Sequence, residues 1–122
     1  MNDADSLPEP LREHLGSARL AGAVPEGQDF ASGRGENQAC GDVVLIHIRR
    51  GPGPLVARYQ ATGCAAVLAV AAYLTDRIEG LDREAAREFD LESAVESLGG
   101  LPRPRRHAVS ICRRALLCAL DG

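Results

Sequence analysis

The sequence predicts an α+β fold, in which a small antiparallel sheet of about three strands carries helices on one face. Two strand-like stretches are separated by a Gly-Pro-Gly-Pro turn, as in a β-hairpin. A long stretch rich in Ala and Leu follows them, and further helical patterns come after it. Strands that precede a run of helices favour this segregated packing over a parallel sheet.

The first third of the chain shows the weakest pattern of secondary structure. Residues 1–8 are predicted to be disordered, and Pro8 and Pro10 bound a short helix that contains His14. A short edge strand fits residues 28–32. The next five residues, Gly-Arg-Gly-Glu-Asn at 33–37, are typical of a loop because glycines often interrupt helices and strands.

The centre of the chain predicts a hairpin and a buried helix. Residues 42–50 are β-branched and apolar with polar ends, and residues 55–61 alternate in polarity, which indicates two paired strands. Residues 64–79 are almost wholly apolar as far as Leu74. A helix that is apolar on all sides is a buried helix, and Gly80 is its natural end.

The last third predicts three helices. Asp82 can cap a short helix over residues 83–88, and Asp90 can cap another. The segment 101–105, from Leu101 to Arg105, reads as extended because of its two prolines. Residues 108–120 form the last helix. No linker interrupts the pattern, so residues 1–122 are predicted to form a single domain.

Composition excludes several classes of function. The chain has 17 acidic residues against 14 basic ones, which provides no electrostatic footprint for nucleic acid. The longest apolar run is too short to cross a bilayer, and the N-terminus lacks the order of a signal peptide. We therefore expect a cytoplasmic protein with no membrane partner. In that reducing compartment, the four cysteines are expected to be thiols or ligands rather than disulfides.

Four residues that can bind a metal lie where one structural pattern gives way to another. Cys40 and Asp42 flank the start of a predicted strand, Cys64 begins the buried helix, and His107 precedes the last helix. Two thiolates, an imidazole and a carboxylate suit zinc, or iron with sulfide. The alternative at each position is structural: a turn cysteine, a small packed residue or a capping side chain.

The same residues carry a family resemblance. Ala-Cys-Gly-Asp at 39–42 is followed by a hairpin, and then by Thr-Gly-Cys and a long helix at 62–80. A Leu-Pro segment then leads to a histidine and a helix. In the order of these motifs, the chain resembles the U-type iron–sulfur cluster scaffolds. This family comprises the IscU, SufU and NifU N-terminal domains. The short stretch between Cys64 and His107 is similar to the IscU and NifU branches, since SufU carries a long insertion there.

The resemblance implies a function and its partners. Family members assemble a [2Fe–2S] cluster with sulfur from a cysteine desulfurase and pass it to apo iron–sulfur client proteins, and some hold zinc instead. They are scaffolds rather than enzymes. By position, Cys40, Asp42, Cys64 and His107 match the family's ligands. The segment from Leu101 to Arg105 resembles the one that an Hsp70-type chaperone recognises. The chain is expected to be a monomer or a homodimer.

One position departs from the family pattern. The family has a cysteine directly after the histidine, whereas this chain has Ala108. Cys112 lies one helical turn further on, an offset of roughly 6 Å, and is a candidate substitute. Cys112 and Cys118 are otherwise expected in the core, and His14 and His47 are expected to be structural or to face solvent.

Two alternatives stay open at this stage. The chain is either a scaffold that binds a metal ion or a cluster, or a divergent paralogue that no longer assembles clusters. The paralogue would act as a zinc-binding sulfur acceptor, or as an adaptor for the desulfurase or the chaperone. An arginine-rich stretch around the start of the last helix would then be either a solvated face or a docking surface for an acidic partner.

Overall fold

The computed structural model describes residues 7–16, 20–22, 24, 27–39 and 41–122. Three strands form the sheet: β1 (Phe30–Asn37), β2 (Asp42–Arg49) and β3 (Ala57–Thr62). The described residues also form five α-helices: α1 (Glu9–Arg12), α2 (Ala65–Ile78), α3 (Arg83–Glu88), α4 (Leu91–Ser97) and α5 (His107–Asp121). Single 3-10 turns at Glu13–Gly16 and Arg103–Arg105 follow α1 and precede α5. The predicted α+β class is confirmed.

The sheet is antiparallel, and β2 is its central strand. The predicted hairpin is confirmed, since β2 pairs with β3 from Val43 opposite Thr62 to the turn. Alternate side chains of β2 are completely buried beneath the helices, at Val44, Ile46 and Ile48. This alternation, which a strand with one covered face requires, places the hydrophobic core between the sheet and α2 and α5.

Strand β1 corrects one prediction. Residues 33–37 were expected to form a loop, but they belong to β1, which pairs with β2 along its whole length. A Cβ atom at Gly33 would lie 2.0 Å from the Ala115 carbonyl oxygen, and one at Gly35 would lie 1.9 Å from the Ile111 carbonyl oxygen. The glycines are therefore present because α5 packs directly on the strand backbone, which is a known use of glycine in strands.

The predicted central helix is confirmed as α2. Its side chains are buried on nearly every side because α2 contacts β3, α5 and the N-terminal helical turns. Completely buried side chains include Val67, Val70 and Leu74. Gly80, with φ +85°, follows it as expected for a helix terminus.

The two short helices begin at the predicted caps. The Asp82 carboxylate accepts a hydrogen bond of 2.7 Å from the backbone nitrogen of Ala85, and the Asp90 carboxylate accepts one of 3.1 Å from Ser93. The hydrogen bond from the backbone nitrogen of Ser93, together with one from the Ser93 hydroxyl, holds the pKa of Asp90 below its usual range. The segment 101–105 is only partly extended, since its last three residues form the 3-10 turn.

The N-terminal expectation needs one correction. Residues 1–6 lie outside the described residues. Leu7, however, is buried in the core, and the Pro8 carbonyl accepts hydrogen bonds from Leu11 and Arg12. These two residues, predicted to be disordered, thus anchor the first helix. Within the described ranges, no helix is long and apolar enough to span a bilayer.

Candidate metal centre

Asp42, the first residue of β2, is the centre of a buried polar contact. Its side chain is completely buried, and a buried carboxylate needs hydrogen-bond partners to offset its lost hydration. Oδ1 accepts a 3.0 Å hydrogen bond from the backbone nitrogen of Cys64, and Oδ2 lies 2.7 Å from Nε2 of His107. One carboxylate therefore joins the start of α2 to the start of α5.

The strand register explains why these segments meet. Asp42 begins β2 and Thr62 ends β3, and the antiparallel pairing places both at the same end of the sheet. Cys64 is therefore close to Asp42 although 22 residues separate them. Helix α5 begins at this end as well, because its Ile111 lies over Gly35, which pairs with the early β2 residue Val44.

Gly63 is required by this arrangement. Its φ of +137° is a conformation that residues with side chains rarely adopt. A Cβ atom there would also lie 2.1 Å from Oδ1 of Asp42. Gly63 thus lets the chain turn from β3 into α2 while the Asp42 carboxylate reaches Cys64. Gly63 belongs to the Thr-Gly-Cys motif that the sequence already marks between a strand and a helix, whereas its close approach to Asp42 is visible only in the structure.

Three of the four predicted ligands come together. Asp42, Cys64 and His107 each offer one possible ligand atom, and these three atoms lie within 4.8 Å of one another. Cys64 is half-buried, and the His107 side chain is 20% exposed, so the group opens to the surface while its carboxylate lies beneath. Thiolate, imidazole and carboxylate are the donors of zinc and iron sites. The donor chemistry therefore fits such an ion.

The histidine is oriented by its neighbour. When Nε2 carries the ring proton, it donates to Asp42 and leaves the lone pair of Nδ1 for another partner. Carboxylate–histidine pairs of this kind fix the ring orientation in many metal sites. Asp42 can therefore serve the centre either as a ligand or as the residue that positions His107.

The fourth predicted ligand, Cys40, lies outside the described residues. Its neighbours are described: Ala39 and Gly41 lie in the turn between β1 and β2. Gly41 has φ +70° and leads directly into Asp42. The role of Cys40 as a ligand stays a prediction.

Ala108 and Cys112 lie beneath the three donors. Both are completely buried, and the Cys112 thiol is outside the group of ligand atoms defined by Asp42, Cys64 and His107. Burial raises the pKa of Cys112, and the neighbouring Asp42 and Cys64 raise it further. Cys112 is thus near the centre but does not replace the missing cysteine in this geometry.

The other cysteine and histidine predictions have mixed outcomes. Cys118 was expected in the core but is exposed, because the buried face of the last turns of α5 is formed by Ala115, Leu116 and Ala119 instead. His47 is structural as predicted: it is buried and hydrogen-bonds to Ser32 at 2.7 Å and to Gln60 at 2.8 Å. His14 packs edge-on against Tyr73.

The segment before α5 presents charge to solvent. Leu101 is buried, whereas Arg103 and Arg106 are exposed. Exposed arginines continue along α5 at Arg113 and Arg114. Several exposed arginines therefore lie near the start of α5, where His107 is located.

Comparison with known proteins agrees with this architecture. The chain is 28% identical over 109 residues to the iron–sulfur cluster assembly scaffold protein IscU 1 of Archaeoglobus fulgidus, covering 88% of this chain and 70% of that protein. It is 29% identical over 117 residues to the scaffold protein IscU of Aquifex aeolicus, covering 92% of this chain and 72% of that protein.

A solved structure has the same fold. The putative iron–sulfur cluster assembly scaffold protein for the SUF system from Fervidobacterium islandicum aligns with a TM-score of 0.61 at 17% identity, covering 93% of this chain and 92% of that one. The family model described as NifU-like N terminal domain matches residues 10–121. The chain therefore belongs to the NifU-like N-terminal domain family.

Proposed function

We propose that this protein is an iron–sulfur cluster assembly scaffold that binds a metal ion or a [2Fe–2S] cluster at Cys40, Asp42, Cys64 and His107. One observation carries the proposal: the buried Asp42 carboxylate holds Cys64 and His107 together from three different elements. A carboxylate, a thiol and an imidazole held at one point are the donors that zinc and iron sites use. The arrangement is what a metal centre needs.

The exposure of the donors fits a transfer role. Cys64 and His107 are partly exposed above the buried Asp42. A cargo held there is accessible to a donor protein and to an acceptor. This role involves assembly and transfer rather than catalytic turnover, so a substrate pocket at the centre is not required.

Ala108 limits which cargo the centre can hold. A buried methyl group there provides no donor, so a single chain offers two thiols, Cys40 and Cys64, together with Asp42 and His107. That set satisfies one tetrahedral ion such as zinc. The same set could hold a [2Fe–2S] cluster, with the carboxylate and the imidazole serving where the family has a further cysteine. The second candidate function, a zinc-binding sulfur acceptor, is favoured by Ala108.

The partners follow from the proposed role. A cysteine desulfurase would supply sulfur, and apo iron–sulfur proteins in the cytoplasm would receive the cluster. For an Hsp70-type chaperone, we propose that the segment from Leu101 to Arg105 must first detach, because Leu101 is buried. If the chain binds desulfurase or chaperone without any metal, the adaptor alternative becomes the better description.

Anaerobic purification tests the proposal. We expect metal, with or without acid-labile sulfide, and we expect Cys40→Ala and Cys64→Ala to lower metal content strongly. Cys118→Ala removes an exposed thiol outside the centre and is the matched control. Iron and sulfide in equal amounts would support the scaffold. Zinc at about one ion per chain without sulfide would support the sulfur acceptor. Folded parent protein without metal or sulfide would contradict both.

A further inference from the structure

A groove lies between α4 and α5, and residues of both helices line it. Its volume is about 680 Å³, which is within the usual range of ligand sites. Its floor is aliphatic and consists of Val95, Leu101 and Val109. Val95 and Leu101 are buried, so the floor belongs to the folded core and does not depend on a mobile surface side chain.

One wall of the groove is acidic. Glu88 at the end of α3 and Glu92 and Glu96 on α4 line it, and all three are exposed. In the described part of the chain, none of the three makes an ion pair. The carboxylate of Asp90, which also lines the groove, is already used to cap α4.

This acidic wall is locally unfavourable. Glu92 and Glu96 are four residues apart on one helix, and like charges at that spacing repel. Glu96 also lies in the last turn of α4, where a negative charge opposes the helix dipole, and no basic residue lies in that turn. A residue choice that costs stability without a visible return within the chain is a sign of a functional surface.

The opposite wall is weakly basic. Arg106 and Arg113 line it, and Arg113 also donates a 3.4 Å hydrogen bond to the Phe89 carbonyl oxygen. Four carboxylates therefore face two guanidinium groups across the groove. The net charge excludes a nucleic acid backbone or an anionic membrane surface as the occupant.

We propose that the groove between α4 and α5 binds a basic segment of a partner protein that also presents an aliphatic side chain. The aliphatic group covers Val95 and Val109, and Arg or Lys side chains pair with Glu88, Glu92 and Glu96. Arg106 precedes His107, so a partner in the groove is held next to the centre that contains Asp42 and Cys64. Binding itself needs no metal, and the proposal is independent of which cargo the centre holds.

Fluorescence anisotropy tests the proposal with three labelled peptides of equal length. The probe repeats Arg-Leu-Ser, and the controls repeat Glu-Leu-Ser and Arg-Gly-Ser. We expect the full-length, metal-free protein to bind the probe better than either control. The double variant Glu92→Gln with Glu96→Gln should weaken binding by about fivefold or more, as expected for contact charges in an interface.

A charge-matched control separates the groove from general attraction. Glu13→Gln with Glu84→Gln also removes two exposed carboxylates, but both lie outside the groove. Equal weakening by the two double variants would overturn the proposal. So would equal binding of the Arg-Gly-Ser peptide, competition by the polyamine spermine at the same concentration as the probe, or absence of probe binding to the parent.

Discussion

Oδ2 of Asp42 lies 2.7 Å from Nε2 of His107, although 65 residues separate them in the chain. The Asp42 side chain is completely buried and that of His107 is 20% exposed, so the contact joins the base of the centre to its surface. The other carboxylate oxygen is occupied by the backbone nitrogen of Cys64. The Asp42 carboxylate therefore holds the Cys64 and His107 side chains close to each other.

A double-mutant cycle measures this contact. In metal-free protein, we expect Asp42→Ala and His107→Ala to be coupled by about 1–3 kcal/mol in the free energy of unfolding, as residues sharing a buried network are. Urea unfolding of the parent, the two single variants and the double variant gives the value. The exposed pair Arg34 and Glu36, 3.0 Å apart, is the control and should couple by about 0.5 kcal/mol or less. Additive effects of Asp42 and His107 would contradict the contact.

Gly63→Ala should damage the centre through the backbone. The left-handed conformation alone costs about 1–3 kcal/mol for a residue with a side chain, and the new Cβ also collides with the Asp42 carboxylate. We expect lower stability in urea and weaker zinc binding in a competition titration. Gly51→Ala, with φ +107° and no atom within 4 Å of its Cβ, should lower stability but leave zinc affinity unchanged. Unchanged zinc affinity in Gly63→Ala would be evidence against the collision.

Gly35→Ala tests the packing of α5 on β1. Overpacking a close contact costs about 1–3 kcal/mol and occasionally more. We expect the upper end of this range, because the atom that the Cβ would meet is the Ile111 carbonyl oxygen of the helix backbone. Arg34→Ala, on the exposed face of the same strand, should change stability by less than about 0.5 kcal/mol. Thermal unfolding compares the two, and similar melting temperatures would refute the close approach.

The cysteines should differ in their reaction with iodoacetamide. Cys118 is exposed, whereas Cys112 is completely buried, and burial raises the pKa of the Cys112 thiol. Since the thiolate is the reactive form, native protein at neutral pH should be modified at Cys118 and not at Cys112. Mass spectrometry of peptides identifies the sites, and urea should make both reactive. Equal modification of the two thiols in native protein would show that Cys112 is accessible.

Cys112→Ala should leave metal binding intact. The thiol is outside the group formed by Asp42, Cys64 and His107, so its removal takes away no donor. Cys64→Ala, by contrast, should weaken zinc binding by about tenfold or more, since a direct ligand is worth at least as much as the outer partners of a metal site. Competition with a chromogenic chelator gives both affinities. If Cys112→Ala loses the metal as Cys64→Ala does, then α5 shifts on binding and Cys112 becomes the replacement ligand.

The element pattern of most of the chain follows from local chemistry. The hairpin, the buried helix α2 and the caps at Asp82 and Asp90 were predicted because alternation, apolar content and capping side chains act over a few residues. The predicted α+β class and the U-type scaffold family are confirmed by the fold and by the family model. The resemblance carried the ligand assignment further than spacing could, since no short Cys-x-x-Cys motif is present.

Contacts between distant segments were decided only by the tertiary structure. Residues 33–37 look like a loop when read locally, yet they form a strand because they pair with β2. Gly33 and Gly35 are glycine because the α5 backbone occupies the space that side chains would need. Similarly, the sequence places Asp42, Cys64 and His107 at three separate joints. Their approach depends on the antiparallel register and on the packing of α5 across the sheet, which are long-range properties that no local pattern encodes.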